Sequence, residues 1–169
     1  MRVRFFHEVE KGKSYIYLED KEKFITIYDI ETIKTFVAAI EDFMEQGFTN
    51  LEGTITFDHG KKGKIEDFEN PDSIEELWHY YTNIFEECME LGYGKVYYPS
   101  LPLEVRLEKR SNHEVMLSLE NQFLIADYKE FARNFIESGR EFIRFLENIA
   151  PQVDHSGFTN QLNDLEKTC

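Results

Sequence analysis

The sequence predicts an α+β protein, with one or two antiparallel sheets covered on one face by three long helices. Three observations lead there. Short alternating segments rich in β-branched and aromatic residues come in groups, separated by polar or Gly-containing turns. Long stretches elsewhere carry apolar residues three and four apart, the spacing of one helical stripe. The composition can fill a core: of 169 residues, 41% are hydrophobic, including fifteen Phe and nine Tyr.

Arg2 to Glu10 and Ser14 to Glu19 alternate around the turn Lys11-Gly12-Lys13, and Phe24 to Tyr28 follows the polar stretch Asp20 to Lys23. These segments predict a three-stranded antiparallel meander. Asp29 is the N-cap of a first helix whose stripe is Ile30, Ile33, Val37, Ile40 and Met44, widened by Phe36 and Phe43 and stopped at Gly47. Leu51 to Phe57 reads as a fourth strand with Ile55 and Phe57 on one face. The basic turn Asp58-His59-Gly60-Lys61-Lys62-Gly63-Lys64 lacks the spacing and the Lys-Ser/Thr pair of a phosphate loop, and reads as a mobile loop.

The central segment, Ile65 to Gly94, contains nine acidic residues and no Lys or Arg, and so carries nine of the fourteen net negative charges. Ser73 with Glu76 is a capping-box signal just after Pro71. From there Ile74, Leu77, Trp78, Tyr81, Ile84, Phe85, Cys88 and Leu91 form the apolar stripe, and Gly92 and Gly94 end the helix. Glu75, Glu76, His79, Tyr80, Asn83, Glu86, Glu87 and Glu90 fall on the other side, which predicts an acidic face with an exposed Tyr. Such a face is either the solvated side of an amphipathic helix or a docking surface for a basic partner. Self-repulsion among unrelieved like charges, and a Tyr set among them, favour docking.

After this helix come a short strand, Lys95 to Tyr98, and a break at Pro99 to Pro102. A strand triple follows at Leu103 to Lys109, His113 to Leu119 and Gln122 to Ala126, in which Val105 and Leu107 oppose Val115, Leu117 and Leu119. Asp127, with Glu130 three residues on, opens a long helix lined by Tyr128, Phe131, Phe135, Phe142, Leu146 and Ile149. Ile136, Gly139, Ile143 and Phe145 make its stripe wider than one sheet face requires, which suits a homodimer through helix 128–149. Pro151 ends it, and Phe158, Leu162 and Leu165 predict a short amphipathic helix before a frayed tail.

The chain reads as a single domain, 1–169. An order of strands followed by an Asp-capped helix occurs twice, over residues 2–50 and 103–149, flanking the acidic helical segment 65–94. Side by side the copies read IYLEDKEKFITIYDIETIKTF and VMLSLENQFLIADYKEFARNF. Either this is a duplication giving two similar β-β-β-α lobes, or strand-to-helix junctions on a sheet simply look alike.

A net charge of −14 excludes direct binding to nucleic-acid phosphates or anionic membranes, both of which need positive charge. No stretch has the length of a membrane span, and the N-terminus has no apolar run of signal-peptide length. Cys88, on the apolar stripe, and Cys169 do not suggest a framework disulfide, which fits a reducing compartment such as the cytoplasm.

No catalytic signature stands out, and no cofactor or metal is expected. Glu76 and His79 have the spacing of half a carboxylate-bridged di-iron site, but no second Glu-x-x-His exists and the pair faces outward. Asp154-His155-Ser156 has the residue types of a hydrolytic triad, but adjacent residues cannot orient one another as a triad does. His7, His59 and His113 have no Cys partners for zinc.

The leading expectation is therefore a non-enzymatic acidic module covering a basic surface on another protein, through Glu75, Glu76, His79, Tyr80, Glu86, Glu87 and Glu90. Small, acidic, aromatic-rich α+β proteins of this size are similar in general character to bacterial immunity proteins that neutralise toxin nucleases. That likeness carries over no residue. The alternative is a small-ligand or enzymatic site in a cleft between the two lobes, with Tyr97, Tyr98 and Arg106 converging near the Pro99 to Pro102 break.

Overall fold

The computed structural model describes residues 13–18, 23–38, 44–45, 48–49 and 51–168. In chain order these form β1 (Lys13–Leu18), β2 (Lys23–Thr26), α1 (Ile30–Val37), β3 (Met44–Glu45), β4 (Phe48–Thr49) and β5 (Glu52–Asp58). Then come β6 (Lys64–Ile65), β7 (Asp72–Ser73), α2 (Ile74–Leu91), β8 (Tyr93–Tyr97), β9 (Glu104–Lys109), β10 (Glu114–Leu119), β11 (Gln122–Asp127), α3 (Tyr128–Ile149) and α4 (Ser156–Thr168). The class is α+β with antiparallel sheets, as expected. One sheet has the order β2-β1-β5-β6 with β7 also on β5, a second has the order β11-β10-β9-β8, and β3 pairs with β4.

Alternation sets the register of the second sheet. Val105 lies opposite Leu119 and Leu107 opposite Leu117, and these side chains, with Val115, Leu124 and Ala126, are buried on one face. A one-residue slip would turn all of them to solvent. The two sheets meet at a bridge between Gly63 and Leu124. Gly63 has a φ of 122°, and a Cβ there would stand 2.0 Å from the Phe123 carbonyl oxygen, so only glycine permits the approach. Beside it, the Gln122 side-chain amide accepts from the Glu66 N–H at 2.9 Å and donates to the Glu66 carbonyl at 2.7 Å. A side chain thus supplies one more rung between the sheets. The segment expected to be a mobile loop leads into this junction. It folds as a single turn of 3-10 helix, Gly60–Lys62, with Asp58 Oδ1 accepting from the Gly60 N–H at 2.7 Å.

Asp29 accepts from the Thr32 N–H at 3.4 Å and caps α1 as expected. The helix predicted to reach Gly47 ends at Val37 among the described residues, and Met44 lies in a two-stranded pair with Thr49 opposite it. Glu45 and Phe48 are joined by two residues, the second a Gly, a length and composition that suit a hairpin. Local hairpin chemistry overrides the helical spacing there. The strand expected at Arg2 to Glu10 lies outside the described residues, as do Ile40 and Phe43.

The start of α2 is as expected, but Ser73 makes no side-chain cap. It belongs to β7, where it pairs with Glu52, and the Ile74 N–H is taken by the Leu51 carbonyl at 3.1 Å. Buried Asp72 accepts from the Ser73 N–H and, at 2.8 Å, from the Ser100 N–H, tying the loop after β8 to the start of α2. At the other end Gly92 has a φ of 86° and gives its N–H to Cys88. Asp127 caps α3, accepting from the Glu130 N–H at 3.0 Å.

The core is aromatic. Trp78 is fully enclosed, with ring centroids of Phe135, Phe142 and Phe158 at 5.3, 5.8 and 6.3 Å. Phe85 lies 5.0 Å from Phe135, and Phe57 joins Tyr81 to Phe131. The wide stripe of α3 has its explanation in α4, which packs on both α2 and α3. Leu162 sits on Gly139, where a Cβ would come within 2.8 Å of its Cδ1. A homodimer through α3 would therefore need side chains that the chain already encloses, since Phe145 is only 3% accessible. Among the described residues no helix is long and apolar enough to cross a membrane.

Candidate functional site

Residues of an α-helix are about 100° apart around its axis, and three neighbours divide the circumference of α2. Ile74, Leu77, Trp78, Tyr81, Ile84, Phe85 and Cys88 face the core. β8 runs beneath the backbone at Ile84, so closely that a Cβ on Gly94 would stand 2.3 Å from the Ile84 carbonyl oxygen. α4 covers the flank that carries Glu75, His79 and Glu86. The His79 ring packs 4.8 Å from that of Phe158, and its Nδ1 lies 3.3 Å from Gln161 Oε1. The Gln161 amide also donates to Asn83 Oδ1 at 2.6 Å.

The acidic face is consequently narrower than the sequence predicts. Glu75 is not part of it: the residue is 4% exposed, and its Oε1 lies 3.8 Å from Nδ1 of buried His155 at the start of α4. Asp154, the acid of the triad-like run, accepts from the Ser156 N–H at 2.9 Å. Placing Lys at Glu75 sets a cation in this buried position against His155, and Glu75→Lys should lower the melting temperature by many degrees. Glu87→Lys on the same helix should change stability by no more than about 0.5 kcal/mol, because Glu87 is exposed. Thermal unfolding of the two variants checks the contrast.

What remains is an outward ridge. Asn83, Glu87, Glu90 and Leu91 are exposed, with half-buried Glu76 and Tyr80 on the same arc. α4 adds to it a residue the sequence did not point to, Asp164, which approaches Glu86 closely enough to act on its ionisation. Asp164 pairs with Lys167 at 2.7 Å, and both are largely exposed. Partial burial, aided by the like charges of Asp164 and Glu90 and opposed by a hydrogen bond from Gln161, holds the Glu86 carboxyl above its ordinary value.

A carboxyl whose pKa is raised by folding disfavours the charged native state. Its penalty is absent below the unfolded value, about 4.3, and grows as pH rises through the raised native value. Glu86→Gln should therefore stabilise the protein at pH 7 and leave it unchanged below pH ~4. Urea unfolding at the two pH values checks this.

The residues of the alternative site do not converge. Tyr98 points into the core beside Tyr81, where burial pushes its phenol up to about 12. Tyr97 and Arg106 are exposed on the outer face of the sheet, and each bonds Glu104, at 3.2 and 3.1 Å. Cys88 is buried, and burial raises its thiol. Among the described residues no group of three or more His, Cys, Asp or Glu side chains is placed to hold a metal ion. Comparison with protein-family models, with curated proteins and with solved structures finds no significant match.

Proposed function

We propose that this chain is a non-enzymatic, acidic protein-binding module that covers a basic surface of a partner protein, as inhibitory immunity proteins do. The observation that carries this reading is the convergence of two helices on one charge. α4 brings a further acid, Asp164, which is paired with Lys167, close enough to Glu86 to act on its ionisation, beside Glu90 of α2 itself. The ridge of Glu76, Tyr80, Asn83, Glu87 and Glu90 keeps a half-buried Tyr among acids, the anatomy of an aromatic anchor with a charged rim. The work of the site is electrostatic steering followed by desolvation around Tyr80, and it needs no bond making. His79, held between Phe158 and Gln161, positions the α4 flank of the surface. A cytoplasmic setting suits a chain whose Cys88 is a free, buried thiol.

The test uses the protein as bait in lysate from its own source, beside a variant with Glu86, Glu87 and Glu90 changed to Lys. Glu75 stays native, since its substitution would report on folding. A basic protein retained by the native bait and lost with the variant supports the reading. Identical retention by both baits overturns it.

A further inference from the structure

The strand β8 has one edge paired with β9 and, among the described residues, no strand on the other. In its register with β9, the Lys109 N–H bonds the Gly92 carbonyl at 2.8 Å and the Tyr98 N–H bonds the Leu103 carbonyl at 3.0 Å. Hydrogen-bonded pairs alternate along an antiparallel ladder, so Gly94 and Val96 also bond β9. The N–H and C=O groups of Tyr93, Lys95 and Tyr97 point the other way, where no strand pairs with them among the described residues. Tyr93 and Tyr97 are 54% and 51% exposed on the outer face of the sheet, and Leu91, 67% exposed, lies just before them.

The acidic ridge stands directly over this edge. Because β8 passes under Ile84 while Tyr81, Phe85 and Cys88 turn to the core, the opposite flank of α2, with Tyr80, Glu87 and Leu91, overhangs the open side. We infer that the open edge of β8 and the overhanging flank of α2 form one docking groove, which takes an extended basic segment of a partner protein as an added strand. The inference rests on the acidic-surface reading above and names the form of its partner.

The geometry sets the partner's pattern. Glu76 and Glu87 are about 16 Å apart along the helix, with Tyr80 between them. Side chains four apart on one face of a strand are about 13 Å apart, within the reach of two Lys side chains. The occupant therefore carries basic residues at i and i+4 and an apolar residue at i+2 beneath α2. Its i+1 and i+3 side chains lie on the outer face, one opposite Lys95 and the other opposite Tyr93 or Tyr97. A second copy of this chain fits poorly, because antiparallel self-pairing through the same amides sets Lys95 opposite Lys95.

The probe is the blocked peptide SKYVYKS, titrated into the isotope-labelled full chain and followed by amide NMR shifts. The comparison peptides are a version of the same composition with adjacent lysines, and two N-methylated versions that block alternate sets of backbone amides. Protein variants are Lys95→Pro, which removes an amide that β9 does not use, and Lys95→Thr, which keeps it. The expected result is shifts concentrated at Tyr93, Lys95 and Tyr97, with affinity about tenfold weaker for Lys95→Pro but not for Lys95→Thr. Only one N-methylated peptide should lose binding, and this readout holds even if Lys95→Pro fails to fold.

Shifts confined to α2 and α4, with both N-methylated peptides binding alike, would overturn strand docking and leave the acidic surface standing. Binding untouched by Glu87→Lys as well would overturn both. A concentration-dependent dimer with shifts at β8 and no response to the peptide would assign the edge to a second copy and overturn the proposal.

Discussion

Replacing Trp78 with Ala should cost about 3–5 kcal/mol of folding stability, the largest loss expected from any single truncation in the chain. The indole has no exposed surface and touches rings from two other helices, Phe135 and Phe142 of α3 and Phe158 of α4. Its removal opens a void walled by aromatic rings, which cannot collapse without moving the helices that carry them. Because Trp78 is the only tryptophan, unfolding should be followed by circular dichroism rather than by its fluorescence. Tyr93→Ala, an exposed change, serves as reference and should lie within about 0.5 kcal/mol of native. A Trp78→Ala loss of under about 1 kcal/mol would mean that α4 does not close over α2 as described.

The second large effect is kinetic. Once a partner is in hand, changing Glu86, Glu87 and Glu90 to Lys should slow association by more than about tenfold at an ionic strength of about 0.01 M, where the screening length is about 30 Å. Near 1 M salt, where that length is about 3 Å, native and variant rates should approach each other. Dissociation should change less than association, because rim charges act mainly on encounter. A rate difference that persists at high salt would point to lost packing, and no difference at low salt would remove the ridge from recognition altogether.

Where contacts are local, the sequence was a sufficient guide. The alternation of Val105 and Leu107 against Val115, Leu117 and Leu119 gave the second sheet, and Asp127 with Glu130 gave the start of α3. The three-four stripe from Ile74 to Cys88 with Gly92 behind it gave α2. What was not legible depends on partners far along the chain. Nothing around Glu75 shows that it is buried, because α4 covers it with His155, eighty residues later. The same arrival narrows the acidic face, gives the wide stripe of α3 its purpose and adds Asp164. Tyr98 and Arg106 are close in sequence pattern to a polar cluster, yet strand parity places them on opposite faces.

The side-chain rung from Gln122 to Glu66 and the Gly63 bridge to Leu124 have a bearing on how the molecule is reached from its unfolded state. Each joins segments roughly sixty positions apart, and the Tyr28 hydroxyl bonds Glu141 Oε2 across 113 positions. Bringing such distant segments together costs loop-closure entropy before any of these contacts forms. Such non-local contacts slow folding relative to a helical bundle of the same size. A strand edge such as that of β8, which has no partner strand on its outer side among the described residues, is a template on which another chain can pair, and Lys95 at its centre is a charge of the kind that opposes such pairing.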